Sequence, residues 1–226
     1  MNLIYNGEYS FYSSKELDFN IIDNSLKIQH LDSNPPGDWV AVSTALKLTA
    51  DYFSQEQWNI LEVGTAHGHF LKSMHLYLEA IKKNNTQAYG VDSKLHGYDP
   101  RFFNETDMHF IDGKSTDKSV IDSLNNDFHF IFIDACHCRI HVLKDLRAYH
   151  NKVKIGGYLG LHDTSPKFQG GTEQPKTEEC DQEDTHINVI KGIEDFDIEN
   201  KGFELIIDEY DNQKYWGGVR IYRRIK

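Results

Sequence analysis

The 226-residue chain reads as an α/β protein with a mostly parallel sheet covered on both faces by helices. Three observations carry that reading. Short apolar runs alternate with longer segments of helical periodicity, which is the βαβ pattern. The first run, Trp58 to Val63, feeds a turn with two glycines, Gly64 and Gly68, that opens a helical segment. Four later runs each stop at an acid or just before one: Asp92, Asp112, Asp134 and Asp163. In a parallel sheet such acids collect along the carboxyl edge, where ligands bind.

The elements follow in order. Residues 1–37 close in Asn34-Pro35-Pro36-Gly37, a loop signal, and read as an N-terminal cap segment ahead of one domain over 38–226. Asp38 is placed to N-cap a helix over Trp39 to Phe53. Trp58 to Val63 is the first buried strand. Phe70, Leu71, Met74, Tyr77, Leu78 and Ile81 recur at helical spacing and predict a helix over His69 to Lys83. Gln87 to Val91, Met108 to Ile111 and Phe128 to Ile133 are strands, and Lys114 to Asn125 and Ile140 to His150 are helices. Gly156-Gly157 is expected to turn into a fifth strand, Tyr158 to Leu161. Residues 164–185 carry two prolines, two glycines and six acids and read as a lid loop. His186 to Phe196 is a last helix, and Phe203 to Asp208 and Lys214 to Tyr222 form a hairpin around Asp211-Asn212.

Composition excludes several classes. The net charge of −11, from 24 basic and 35 acidic side chains, disfavours a nucleic-acid partner, which needs a basic face. Arg220, Arg223, Arg224 and Lys226 cluster near the C-terminus and read as a solvated tail. No apolar run is long enough to span a bilayer and the first residues lack a secretory pattern, so no membrane partner and a cytoplasmic location are expected. The three cysteines, Cys136, Cys138 and Cys180, argue against a disulfide framework, and Cys136 and Cys138 read as inert packing residues.

The turn Glu62-x-Gly64-x-x-x-Gly68 lacks the G-x-G-x-x-G of a nicotinamide fold. It resembles motif I of class I S-adenosylmethionine (SAM) methyltransferases. The resemblance implies a Rossmann-like class I methyltransferase sandwich: a seven-stranded, mostly parallel sheet with an antiparallel C-terminal hairpin strand. It also implies SAM as cofactor, with Glu62, Gly64, Thr65, Ala66 and Gly68 around its amino-acid part. Asp92 would accept both ribose hydroxyls, Asp112 and Ser115 would lie at adenine, and Asp134 would line the cofactor too.

The second half is more specific. Phe130-Ile-Phe-Ile-Asp134-Ala-Cys-His137 is followed by a helix with Asp145-Leu146, then Gly156-Gly157, a strand and His162-Asp163-Thr164. This resembles the macrocin (sugar) O-methyltransferase and cephalosporin-hydroxylase-like group, methyltransferase domain 24. The resemblance implies a divalent metal, Mg²⁺ or Mn²⁺, on Asp134, His162 and Asp163, with His137 as general base and Asp134 and His162 in the catalytic centre. Two residues depart from the group's pattern. Cys136 stands where many relatives have an acid, and His162 replaces a carboxylate, which suits Mn²⁺, Fe²⁺ or Zn²⁺ better than Mg²⁺. A second arrangement leaves His162 as the base and only Asp134 and Asp163 on the ion.

The implied activity is methyl transfer to a hydroxyl of a sugar or another polyhydroxylated small molecule (a sugar, nucleotide-sugar or glycan), and a homo-oligomer is compatible with it. The rivals are a catechol or phenol O-methyltransferase, with Phe102, Phe103 and Trp216 stacking on the acceptor, and a SAM-binding module without catalysis.

Overall fold

The computed structural model describes residues 36–53, 57–82, 85–93, 106–124, 127–166, 171–172, 184–209 and 217–226. The cap segment up to residue 35, Phe102, Phe103, Trp216, Cys180 and most of the expected lid lie outside the described residues. The elements are α1 (Pro36–Tyr52), β1 (Trp58–Val63), α2 (His69–Lys82), β2 (Thr86–Asp92), β3 (Met108–Asp112), α3 (Lys118–Ser123) and β4 (Phe128–Ile133). They continue with α4 (Arg139–Tyr149), β5 (Val153–His162), α5 (His186–Phe196), β6 (Phe203–Glu209) and β7 (Val219–Arg224). Two short strands, Gly171–Thr172 and Asp184–Thr185, pair with each other outside the main sheet.

The sheet has seven strands in the order β3-β2-β1-β4-β5-β7-β6, the Rossmann-like sandwich with an antiparallel C-terminal strand that the sequence predicts. The first five are parallel, and β7 runs antiparallel between β5 and β6. The chain winds outward from β1 through β2 to β3, then returns to β4 on the other side of β1. The crevice between the carboxyl ends of β1 and β4 is therefore the topological switch point, where open α/β sheets bind ligands.

Side chains alternate across a strand, so each strand feeds two cores. Ile60 of β1 and Phe130 and Phe132 of β4 face α1 and α2, meeting Trp39, Leu46, Leu71, Met74 and Leu78. Leu61, Val63, Ile131 and Ile133 face α3, α4 and α5, meeting Val120, Leu146, Tyr149, Val189 and Ile193. Burial on both faces explains why β4 is apolar at every position but one. That exception, His129, accepts the Asn59 N–H at Nδ1 (3.1 Å) and stacks on Trp58.

Three local expectations change. Gly156 and Gly157 lie inside β5, which starts at Val153; the register against β4 shifts between Phe128 and Phe130 and absorbs the extra residues. The α3 helix starts only at Lys118, because Lys114 to Asp117 closes a turn in which the Asp117 N–H donates to the Lys114 carbonyl. The C-terminal arginines are not a solvated tail: they lie on β7, where Arg220 pairs with Asp208 and Arg224 donates to the Asn151 and Val153 carbonyls. Arg223 lies over the Tyr52 ring. Among the described residues no helix is long and apolar enough to cross a membrane.

Candidate active site

Parallel pairing sets the strand ends side by side. Val63 is level with Val91 of β2 and Ile133 of β4, and Asp92 is level with Asp112 of β3. The turn after β1 is pinned there: the Gly64 and Thr65 N–H groups both donate to the Val91 carbonyl, and the Asp134 N–H donates to the Val63 carbonyl. Gly64 has φ +89°, and a Cβ there would lie 2.1 Å from the Asp134 carbonyl oxygen. Its absent side chain is thus required by the approach of β4, beyond any ligand.

Glu62 and Asp92 order the turn from two sides. The Thr65 hydroxyl donates to Glu62 Oε2 at 2.6 Å, inside the protein. Burial pushes the Glu62 carboxyl up to about 8, against the lowering by the Thr65 hydroxyl. Ala66, at φ 44°, turns its N–H onto Asp92 Oδ2 at 2.8 Å. The Asp92 main chain also continues to β3, since its carbonyl accepts the Gly113 N–H. Gly68 lies at the start of α2, its N–H on the Thr65 carbonyl. Asp112 is exposed at the end of β3.

Ser115 is committed within the protein. Its hydroxyl donates to Asp145 Oδ1 at 2.6 Å, and its carbonyl accepts the Tyr149 hydroxyl at 2.7 Å. Both partners are on α4, so Asp145 anchors the loop after β3. Burial raises the Asp145 carboxyl to about 7, partly offset by Ser115. Leu146 beside it enters the core, which gives the Asp145-Leu146 pair a physical meaning.

Beyond β4 and β5 lies a cluster of acids and imidazoles. His162 ends β5, and its Nδ1 is 3.3 Å from both Asp134 Oδ1 and Asp163 Oδ2. Both are ion-pair contacts without hydrogen-bond geometry, so this buried nitrogen has no hydrogen-bond partner. His137 Nε2 lies 2.7 Å from Asp163 Oδ2 and 3.9 Å from Asp134 Oδ1. Asp163 adopts φ 56°, a left-handed conformation unfavourable for a side-chain-bearing residue. Burial alone would lower the His162 pKa; the Asp163 and Asp134 carboxylates outweigh it and raise it well above the ordinary value. Burial likewise works against ionised Asp134, but His162 and His137 hold its carboxyl below the usual range.

One ligand atom from each of Asp134, His162 and Asp163 falls within a 4.8 Å spread. Two carboxylate oxygens and an imidazole nitrogen without a donor facing it are a donor set that fits a divalent cation. The sequence-derived residues thus fall into two neighbouring groups. Glu62, Gly64, Thr65, Ala66, Gly68 and Asp92 form one, and Asp134, His137, His162 and Asp163 the other.

Sequence reasoning missed Asp38. It reads as an N-cap, but α1 starts at Pro36, and the Asp38 carboxylate accepts the His162 Nε2–H at 3.0 Å and the Gly218 N–H at 3.1 Å. No local spacing could show a contact across 124 residues. The cysteines also differ from expectation: Cys138, buried at the start of α4, is disulfide-bonded, so it is not an inert thiol. Cys136 is not disulfide-bonded, and its Sγ lies 3.0 Å from His141 Nδ1.

Comparison with known proteins identifies the domain and the fold. Residues 61–164 match the family model Methyltransf_24, a methyltransferase domain. No curated protein sequence matches the chain. Among solved structures, the chain is similar to the MycE methyltransferase of the mycinamycin biosynthetic pathway, solved in complex with Mg and SAH. The identity is 19% and the TM-score 0.58, over 90% of this chain and 54% of that one. It is also similar to the O-methyltransferase NovP (12% identity, TM-score 0.56, 83% and 79% covered). A third is an O-methyltransferase from Bacillus cereus in complex with SAH (11%, TM-score 0.54, 95% and 93% covered). The chain spans about half the length of the MycE chain. Residues 61–164 thus match a methyltransferase domain, and the chain has the fold of these solved methyltransferases.

Proposed function

We propose that the protein is a SAM-dependent O-methyltransferase that methylates a hydroxyl of a sugar or another polyhydroxylated small molecule. The observation that carries this reading is the juxtaposition at the β1/β4 crevice: an ordered glycine turn flanked by Asp92, next to Asp134, His162, Asp163 and His137.

Glu62, Gly64, Thr65, Ala66, Gly68, Asp92, Asp112, Ser115 and Asp134 would hold SAM, which supplies a methyl group already activated on a sulfonium. Ser115 would act through its main chain, since its hydroxyl serves Asp145. Asp134, His162 and Asp163 would hold a divalent ion, a Lewis acid that makes a nearby hydroxyl more acidic. The protein's own tasks are then alignment and proton removal. His137 takes the hydroxyl proton, and the imidazolium it becomes is stabilised by the Asp163 carboxylate 2.7 Å away. A divalent ion there would suit vicinal hydroxyls, which a polyol or a catechol presents and a simple phenol does not. Residues 38–226 act as one catalytic domain, with 164–185 as its lid. The start of that segment is held: the Thr164 and Ser165 N–H groups donate to the Gly218 and Gly217 carbonyls.

The test is transfer of labelled methyl from SAM to a panel of free sugars, nucleotide-sugars and catechols. Label on a sugar, lost in EDTA and restored by Mn²⁺ or Mg²⁺, is the expected outcome; label on catechols alone would shift the acceptor class. Asp92→Ala should weaken SAM binding about 100-fold by calorimetry, since two charge-assisted hydrogen bonds of about 1.5 kcal/mol each are lost. Unchanged affinity would remove Asp92 from the cofactor site.

A further inference from the structure

Asp38 occupies the first turn of α1, where an acid ordinarily serves its own helix N-terminus. Here its side chain, 3% exposed, leaves the helix and joins two distant segments. Oδ1 accepts the Gly218 N–H and Oδ2 the His162 Nε2–H. The space is made by the glycine pair ahead of β7: a Cβ on Gly217 would lie 2.3 Å from Asp38 Oδ2, and one on Gly218 2.6 Å from the Ser165 nitrogen.

An ionised carboxylate only accepts hydrogen bonds, so this contact places a proton on His162 Nε2. The other ring nitrogen, Nδ1, is the buried atom that lies 3.3 Å from Asp134 and Asp163 without a hydrogen bond to either. We propose that Asp38 is a positioning residue that keeps a proton on His162 Nε2 and aims Nδ1 between the two carboxylates, so that Nδ1, on giving up its proton, is the nitrogen ligand of a first-row divalent ion such as Mn²⁺. This rests on the reading of Asp134, His162 and Asp163 as a cation site. A carboxylate behind a ligating imidazole fixes its ring and makes it a better donor. A nitrogen ligand also favours first-row ions over Mg²⁺, which prefers oxygen.

Two measurements test it. In Zn²⁺-loaded wild-type protein with ¹⁵N-labelled histidine, long-range ¹H–¹⁵N spectra should show His162 metallated at Nδ1 and protonated at Nε2. Metallation at Nε2 overturns the proposal and needs no variant. In Mn²⁺ titrations followed by the EPR signal of the free ion, Asp38→Ala should weaken binding by about 10- to 100-fold. Asp38→Asn should weaken it less, because its amide oxygen can still accept the Nε2–H. Unchanged affinity in a folded Asp38→Ala protein also overturns the proposal. Wild-type protein that binds neither Mn²⁺ nor Zn²⁺ rejects the cation site itself, and this inference with it, so the two failures are distinct.

Discussion

His137→Gln should lower the single-turnover rate of methyl transfer by about 10²- to 10⁴-fold, the usual contribution of a general base, while SAM affinity measured by calorimetry stays within about twofold, as for a residue outside the cofactor contacts. Glutamine keeps a polar group of similar reach beside Asp163, so the ion pair is lost but the space remains filled. His137 sits three residues after Asp134, between β4 and α4, and its Nε2 faces the Asp163 carboxylate. That neighbour favours the protonated ring, and so favours the product of proton transfer. A rate loss below about fivefold would exclude this base role and shift it to His162, whose ring Asp38 and the two carboxylates already surround.

Glu62→Gln should change how stability depends on pH. The native Glu62 carboxyl titrates at about 8, against 4.5 for the free side chain. Between those values the native protein keeps a proton that the unfolded chain has released, so the unfolded state binds fewer protons and wild-type stability falls as pH rises. The slope is about 1.4 kcal/mol per pH unit. Between pH 5 and pH 8, with the slope falling off at both ends, the variant should therefore gain roughly 3 to 4 kcal/mol relative to wild type. Urea unfolding of both proteins at the two pH values measures it. Taking the difference removes the titration of the histidines and of Asp145, which both proteins share. A difference that does not change with pH would mean that Glu62 is ionised in the folded protein. Glutamine can still accept the Thr65 hydroxyl, so the turn should keep its shape.

Much of the architecture is legible in the sequence because it follows from local periodicity. Phe130 and Phe132 must face one way and Ile131 and Ile133 the other, so an apolar β4 requires helices on both faces. Acids that end parallel strands must lie along one edge, so Asp92, Asp112, Asp134 and Asp163 could be grouped before any coordinates. Apart from the local turn that delays α3, what failed depends on a partner distant in the chain. The glycines at 156 and 157 read as a turn, but the pairing of β5 with β4 draws them into a strand. The C-terminal arginines read as solvated, but a sheet strand supplies carbonyls, an acid and a ring for them.

The sequence by itself determined the α/β alternation, the glycine turn after the first strand and the set of acids and histidines available for chemistry. Each of these is a matter of residue type and short spacing. Only the tertiary structure decided what those residues face. It shows that Gly64 is required by the end of β4, that Ser115 serves Asp145, and that Asp38 leaves its own helix to grip His162. The physical reason is that a hydrogen bond or a steric limit acts over about 3 Å of space whatever the separation along the chain, and a contact across 124 or 180 residues has no period to reveal it.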